Sequence, residues 1–199
     1  MALTKLHKPS NEVEMSYFNR EEVLVSRDCP AVTVPYGTPV TIEEGCTAVI
    51  TQQLGSSFTV VVEGNMYRIE GVDADAIGKE VVEHEPFIPE QPATEETVEE
   101  ACWVVLTEVF DPEIPVDIVN LGLIYRCNVS QEGPDEFHVQ VDMTLTAPGC
   151  GMGTFIAEEA RAKVLNIQGV TEAHVDLVWD PPWSREMMSE SARLQLGML

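Results

Sequence analysis

The sequence predicts an α+β chain: a small N-terminal all-β domain, then a domain ordered helix, strand, strand, helix, strand, with a C-terminal helix. Three observations carry this. Between Glu21 and Ile69, short β-branched runs alternate with turn residues. A stretch rich in Pro and Glu follows. Beyond it the apolar spacing switches to a helical period, then to a period of two, and back again. These shifts divide the chain into an N-terminal extension over residues 1–20, a β-rich domain over 21–82, an acidic Pro-rich linker over 83–93 and a second domain over 94–199.

In the β-rich part, Val32-Thr33-Val34 runs into Pro35-Tyr36-Gly37, and residues 39–42 run into Glu43-Glu44-Gly45. Residues 47–54 end at Gly55-Ser56-Ser57. Residues 58–62 and 66–69 flank Glu63-Gly64-Asn65, where Gly64-Asn65 reads as a hairpin turn. Strands this short predict a small antiparallel barrel or sandwich. Pro86, Pro89 and Pro92 among Glu83, Glu85 and Glu90 predict an extended, self-repelling spacer.

Thr94 is the predicted N-cap of a helix whose apolar stripe runs from Val98 through Cys102 to Phe110, with Glu95, Glu96, Glu99 and Glu100 near its positive end. Asp111-Pro112-Glu113-Ile114-Pro115 stops it. Residues 118–129 read as a strand. In the next strand Phe137, Val139, Val141, Met143 and Leu145 face one way, and His138, Gln140, Asp142, Thr144 and Thr146 the other. A helix from about Met152 buries Phe155, Ile156, Ala160, Val164 and Ile167, and Gly169 ends it. Val175, Leu177 and Trp179 mark a third strand, and Ser184 opens a last helix through Leu196.

Eleven Lys and Arg against thirty-four Asp and Glu give a net charge of −23. Such a surface repels phosphate backbones and anionic lipid, so nucleic acid and membrane are excluded as partners. No apolar run approaches a membrane span, and residues 1–20 lack the apolar core of a secretory signal. The five cysteines (Cys29, Cys46, Cys102, Cys127 and Cys150) are odd in number and form no C-x-x-C pair. This argues for reduced thiols and against a four-cysteine metal site within one chain.

Cys150 is the sharpest chemical candidate. Thr146, Pro148, Gly149 and Gly151 build a turn around it, between a strand end and a helix start. Free amides and the helix dipole there favour an anion and so a thiolate. Cys102 and Cys127 fall on apolar faces and read as core; Cys29 and Cys46 fall in turns. Asp111 and Glu113 flank Pro112. They read equally as turn chemistry or as metal ligands or acceptors for the Cys150 turn. His138 and His174 read as solvated strand residues, with a ligand role as the alternative. Trp179-Asp180-Pro181-Pro182-Trp183 reads as a packing clasp or a partner platform. Dinucleotide, phosphate-loop and nucleophile-elbow patterns do not occur.

Three segments in order, DPEIPVDIVNLGLIY from Asp111, MTLTAPGCGMG from Met143 and VWDPPWSREMMSESARLQLG from Val178, resemble the domain shared by iron–sulfur cluster assembly factors and PaaD-like proteins. The segment YRIEGVDADAIGKE from Tyr67 resembles the extra N-terminal domain of the SufT type of this family. The resemblance implies an αββαβ-type domain and a cytoplasmic accessory factor in iron–sulfur protein maturation, not an enzyme. It places the family's reactive cysteine at Cys150 and its acidic turn at Asp111 and Glu113. The residue after the cysteine, often proline in the family, is Gly151 here.

One thiolate cannot hold a cluster that wants four ligands. No stably bound cofactor is therefore expected. Iron or a cluster would be held in transit at Cys150, with Asp111, Glu113 and His138 as weaker metal candidates, bridging two chains or chain and partner. The expected partners are iron–sulfur scaffold or carrier proteins and client apoproteins, and a homodimer would relieve the shortage of ligands. Two other readings stay open: a cysteine-dependent enzyme or PaaD-like oxygenase subunit, which needs a base near Cys150 such as His138, and a pure protein-interaction adaptor.

Overall fold

The β-branched runs after Glu21 build one six-stranded antiparallel sheet in the computed structural model, which describes residues 21–82, 85–149 and 151–198. The expected extension, residues 1–20, lies outside the described residues. The strands are β1 (Glu21–Leu24), β2 (Cys29–Val34), β3 (Pro39–Ile42), β4 (Thr47–Leu54), β5 (Ser57–Val62) and β6 (Asn65–Glu70). Their order is β1-β4-β5-β6-β2-β3, so β1 and β3 are the edges. The expected barrel or sandwich is corrected to a single sheet. One face of it, with Phe58, Val60 and Ile69, is sealed by a 3-10 segment, Gly71–Ile77, which buries Ala74, Ala76 and Ile77. That segment supplies the apolar lid that a second sheet would otherwise provide. The β5–β6 hairpin turns at Glu63 (φ 50°) and Gly64 (φ 82°), one residue earlier than expected, and Asn65 already pairs with Val62.

The Pro-rich stretch is not a free spacer. The Phe87 amide donates to Asn166 O (3.0 Å), and the Gln168 amide donates to Phe87 O (2.8 Å). The Asn166 side chain also donates to Glu85 O (2.8 Å). Phe87 packs against the second core, and that apolar contact overrides the charge repulsion of its neighbours.

Helix α1 (Glu95–Leu106) starts where expected. Thr94 Oγ1 accepts from the Thr97 amide (3.2 Å) and Thr97 Oγ1 from the Thr94 amide (2.9 Å), a capping box with Thr in the usual Glu position. The helix ends at Leu106 rather than near Phe110, because Phe110 leaves the axis to bridge Asp117. Residues 118–123 form a turn rather than a strand. Asp117 accepts from both the backbone and the side-chain amide of Asn120 (2.8 Å each), so the chain bends before β7 (Ile124–Gly133).

β7 pairs antiparallel with β8 (Glu136–Met143), which pairs parallel with β9 (Val170–Leu177) in the order β7-β8-β9. The third strand therefore starts five residues before the expected Val175 and ends before Trp179. The alternation on β8 holds, with Phe137, Val139, Val141 and Met143 buried. Helix α2 (Gly153–Leu165) buries Ile156, Ala160 and Val164 against this sheet and is capped at Asn166, before Gly169. The expected last helix splits. Residues Arg185–Met187 form a 3-10 turn, and α3 spans only Glu190–Gln195, with Ser189 as N-cap accepting from the Ala192 amide (3.1 Å). No helix among the described residues is long and apolar enough to cross a membrane.

Candidate functional site

The segment from β8 to α2 carries the predicted site. Period-two burial along β8 continues into Leu145, and Thr144 is anchored by its amide donating to Leu123 O (2.8 Å). Beyond it Thr146 is half-buried, and Ala147, Pro148 and Gly149 are exposed. Gly149 takes φ +84°, a left-handed conformation that disfavours any side chain. Cys150 lies outside the described residues. Gly151 follows it, and Met152, 1% exposed, is the N-cap of α2 and offers no side-chain acceptor to the first-turn amides. Those amides are the groups that favour a nearby anion.

The other face of the six-stranded sheet meets α2, and a buried cation marks the contact. Arg68 on β6 is 2% exposed. Its guanidinium pairs with Glu159 of α2 (2.5 Å), donates to Phe110 O (3.4 Å) and lies 5.0 Å from the centre of the Phe155 ring. Glu70 sits 3.2 Å from Arg68 Nε. Burial pushes the Glu159 carboxyl up to about 7 against the pull of Arg68, and Glu159 Oε2 has no hydrogen-bond partner among the described residues. The sequence reading missed this pair. The signal was present: Arg68 falls between Tyr67 and Ile69 in an apolar strand, where an unpaired charge is costly.

The remaining candidates are dispersed. Asp111 is buried and its Oδ1 accepts from the Glu113 amide (2.8 Å), which is turn chemistry. Burial raises its carboxyl above the usual range. Glu113 is exposed. His138 lies five residues before the end of β8, about 17 Å along the strand from the end that leads to the site. It pairs instead with Glu172 (3.4 Å), which also meets His174 (2.7 Å), so the expected approach of His138 to the site is corrected. Among the described residues no group of three or more His, Cys, Asp or Glu is arranged to hold a metal ion.

Cys102 and Cys127 are both buried, and the Cys102 thiol is driven up by its hydrogen bond with Cys127 and by burial. Cys29 heads β2 fully buried rather than sitting in a turn, and burial pushes its thiol up to about 11. Cys46 is half-buried in the turn before β4. Trp183 is a clasp, with its indole N–H donating to Leu121 O (2.9 Å), while Trp179 remains 45% exposed.

The chain matches the iron–sulfur cluster assembly protein family over residues 99–175. It is 46% identical over 101 residues to an Fe-S protein maturation auxiliary factor of Porphyromonas gingivalis, covering 51% of this chain and 92% of that one. It is 44% identical over 90 residues to the Fe-S protein maturation auxiliary factor SufT of Staphylococcus aureus (45% and 98%). It is 38% identical over 104 residues to the Fe-S protein maturation auxiliary factor YitW of Bacillus subtilis (52% and 98%). The chain belongs to the iron–sulfur cluster assembly protein family, among its SufT-type members. Each relative aligns over nearly its whole length with about half of this chain.

Proposed function

We propose that this chain is a non-enzymatic accessory factor in the maturation of iron–sulfur proteins, with Cys150 as its working thiol. The observation that carries the reading is the position of the β8–α2 segment. It lies inside the matched span 99–175, it has a largely exposed turn, and it opens a helix whose N-cap residue, Met152, makes no side-chain cap bond, at the helix end that favours an anion. The relatives' names point to the same process. A single thiolate per chain suits transfer rather than storage, since a cluster wants four ligands. Iron or a cluster would therefore pass through the site in transit, with the missing ligands supplied by a second chain or by a partner's thiolates. The partners are scaffold or carrier proteins and client apoproteins. Basic surfaces suit them best against a net charge of −23. We place this work in the cytoplasm, where thiols stay reduced. One oxygen of Asp111, Oδ1, accepts from the Glu113 amide in its own turn.

The test is genetic. In a strain lacking the gene, aconitase-type activity should fall. The wild-type chain should restore it, and Cys150→Ala should not, at equal protein level. Full rescue by the alanine variant would remove the thiol from the account.

A further inference from the structure

Gly37 and Gly55, in turns of the six-stranded sheet, and Arg68 on β6 touch the second half of the chain at and beside its helices. At the β2–β3 turn, Gly37 faces Gly151 O and Met152 Sδ, where a Cβ would stand 3.6 Å from each, and the Phe155 Cβ, at 3.7 Å. A Cβ on Gly151 would stand 2.5 Å from Pro35 O and 3.3 Å from the Tyr36 Cα, closer to the backbone oxygen than real Cβ atoms come. At the β4–β5 turn, a Cβ on Gly55 would stand 2.5 Å from Glu108 O, just beyond α1. Between these two points Arg68 is fastened to Glu159 and lies over Phe155. Phe155 and Glu159 are one turn apart on α2, whose first turn carries the β2–β3 contact. The β2–β3 turn and the buried Arg68–Glu159 pair seat the sheet on α2, and the β4–β5 turn seats it beside the end of α1.

We propose that the six-stranded sheet is a wall of the candidate site. Its β2–β3 turn closes the face of Gly151 that points toward Pro35, so partner proteins approach the β8–α2 segment from the remaining side, past the ring of Tyr36. That ring is 75% exposed. The proposal rests on reading Cys150 as the working thiol, since Cys150 is joined to Gly151 by one peptide bond. Gly151 itself remains exposed on its other face, which leaves the route open. The relatives align over nearly their full length with about half of this chain, so the wall adds selection of partners to a unit that those proteins have without it.

The test compares a small maleimide with a polymer-bearing maleimide on the full chain, reading Cys150 by mass spectrometry and using half-buried Cys46 as the internal control. Gly151→Ala displaces the turn locally. Gly55→Ala and Arg68→Lys loosen the sheet at points remote from residue 150. Gly64→Ala, at a left-handed turn with nothing within 4 Å, reports backbone strain alone. Gly151→Ala, Gly55→Ala and Arg68→Lys should each raise the large-to-small labelling ratio at Cys150 by about threefold or more, because access sets the rate. The ratio at Cys46, and that of Gly64→Ala, should stay at the wild-type value. An unchanged ratio, or a rise confined to Gly151→Ala, overturns the wall. Arg68→Lys keeps the charge and provides a folded variant if Gly55→Ala does not fold. Cys150→Ala in the rescue assay separates the two proposals. If that variant restores activity, the thiol reading fails whatever the labelling shows. If it is inactive while the labelling ratios are flat, only the wall fails.

Discussion

Arg68 and Glu159 show how one residue pair sets both stability and its pH dependence. Removing one partner of a buried ion pair leaves the other uncompensated, so Arg68→Met should cost about 3–5 kcal/mol at pH 8 in urea unfolding. The Glu159 carboxyl is raised by burial from near 4.5 to about 7, so the folded chain holds this proton more tightly than the unfolded chain. Stability from protonated Glu159 is therefore present in full below about 4.5 and is lost as pH rises through 7. Wild type should lose stability relative to Glu159→Gln over that window, and parallel curves would contradict the assignment. Cys102→Ala should cost about 1–2 kcal/mol as a small core truncation, with no effect on rescue. The core role of Cys102 and Cys127 was legible from spacing, because both fall on apolar faces. The partner of Arg68 was not, since Glu159 lies ninety-one positions away and no local period links the two.

Elements with strong local chemistry were read well, and elements set by tertiary contacts were not. Thr94 announced α1 because its side chain answers an amide three residues on. Thr94→Ala should cost about 1 kcal/mol, seen as a shift in urea midpoint with unchanged slope. The strand expected over residues 118–129 failed in its first half, because Leu121 and Leu123 keep a strand-like burial rhythm inside a bend built by Asp117 and Asn120. The spacer around Phe87 misled in the opposite way. Its composition is that of a free linker, yet one aromatic side chain and three hydrogen bonds at Glu85 and Phe87 fasten it beside the end of α2. Phe87→Ala should cost about 1.5–2.5 kcal/mol, half the usual loss because the ring is only half-buried, and should speed proteolytic cutting within residues 83–93. Cutting at the wild-type rate would leave the stretch a spacer after all.

On the scale of the whole molecule, the α+β class and the change of character near the middle of the chain were legible from periodicity and punctuation. The contact between the two sheets was not. It depends on glycines that pass as turn residues in the sequence and on an arginine hidden in a strand. Charge acts at this scale too: with −23 over 199 residues, association with a basic partner should slow steeply as salt is raised, while an apolar dock would be nearly indifferent.

The central claim is that one sulfur, at Cys150, handles iron or a cluster in transit to a client. The most direct measurement is the rate at which a loaded cluster donor activates apo-aconitase under anaerobic conditions, with wild type or Cys150→Ala added in equal amount. Wild type should accelerate activation and the alanine variant, equally folded by thermal melt, should leave the rate of the donor alone. Equal acceleration by both chains would contradict the account.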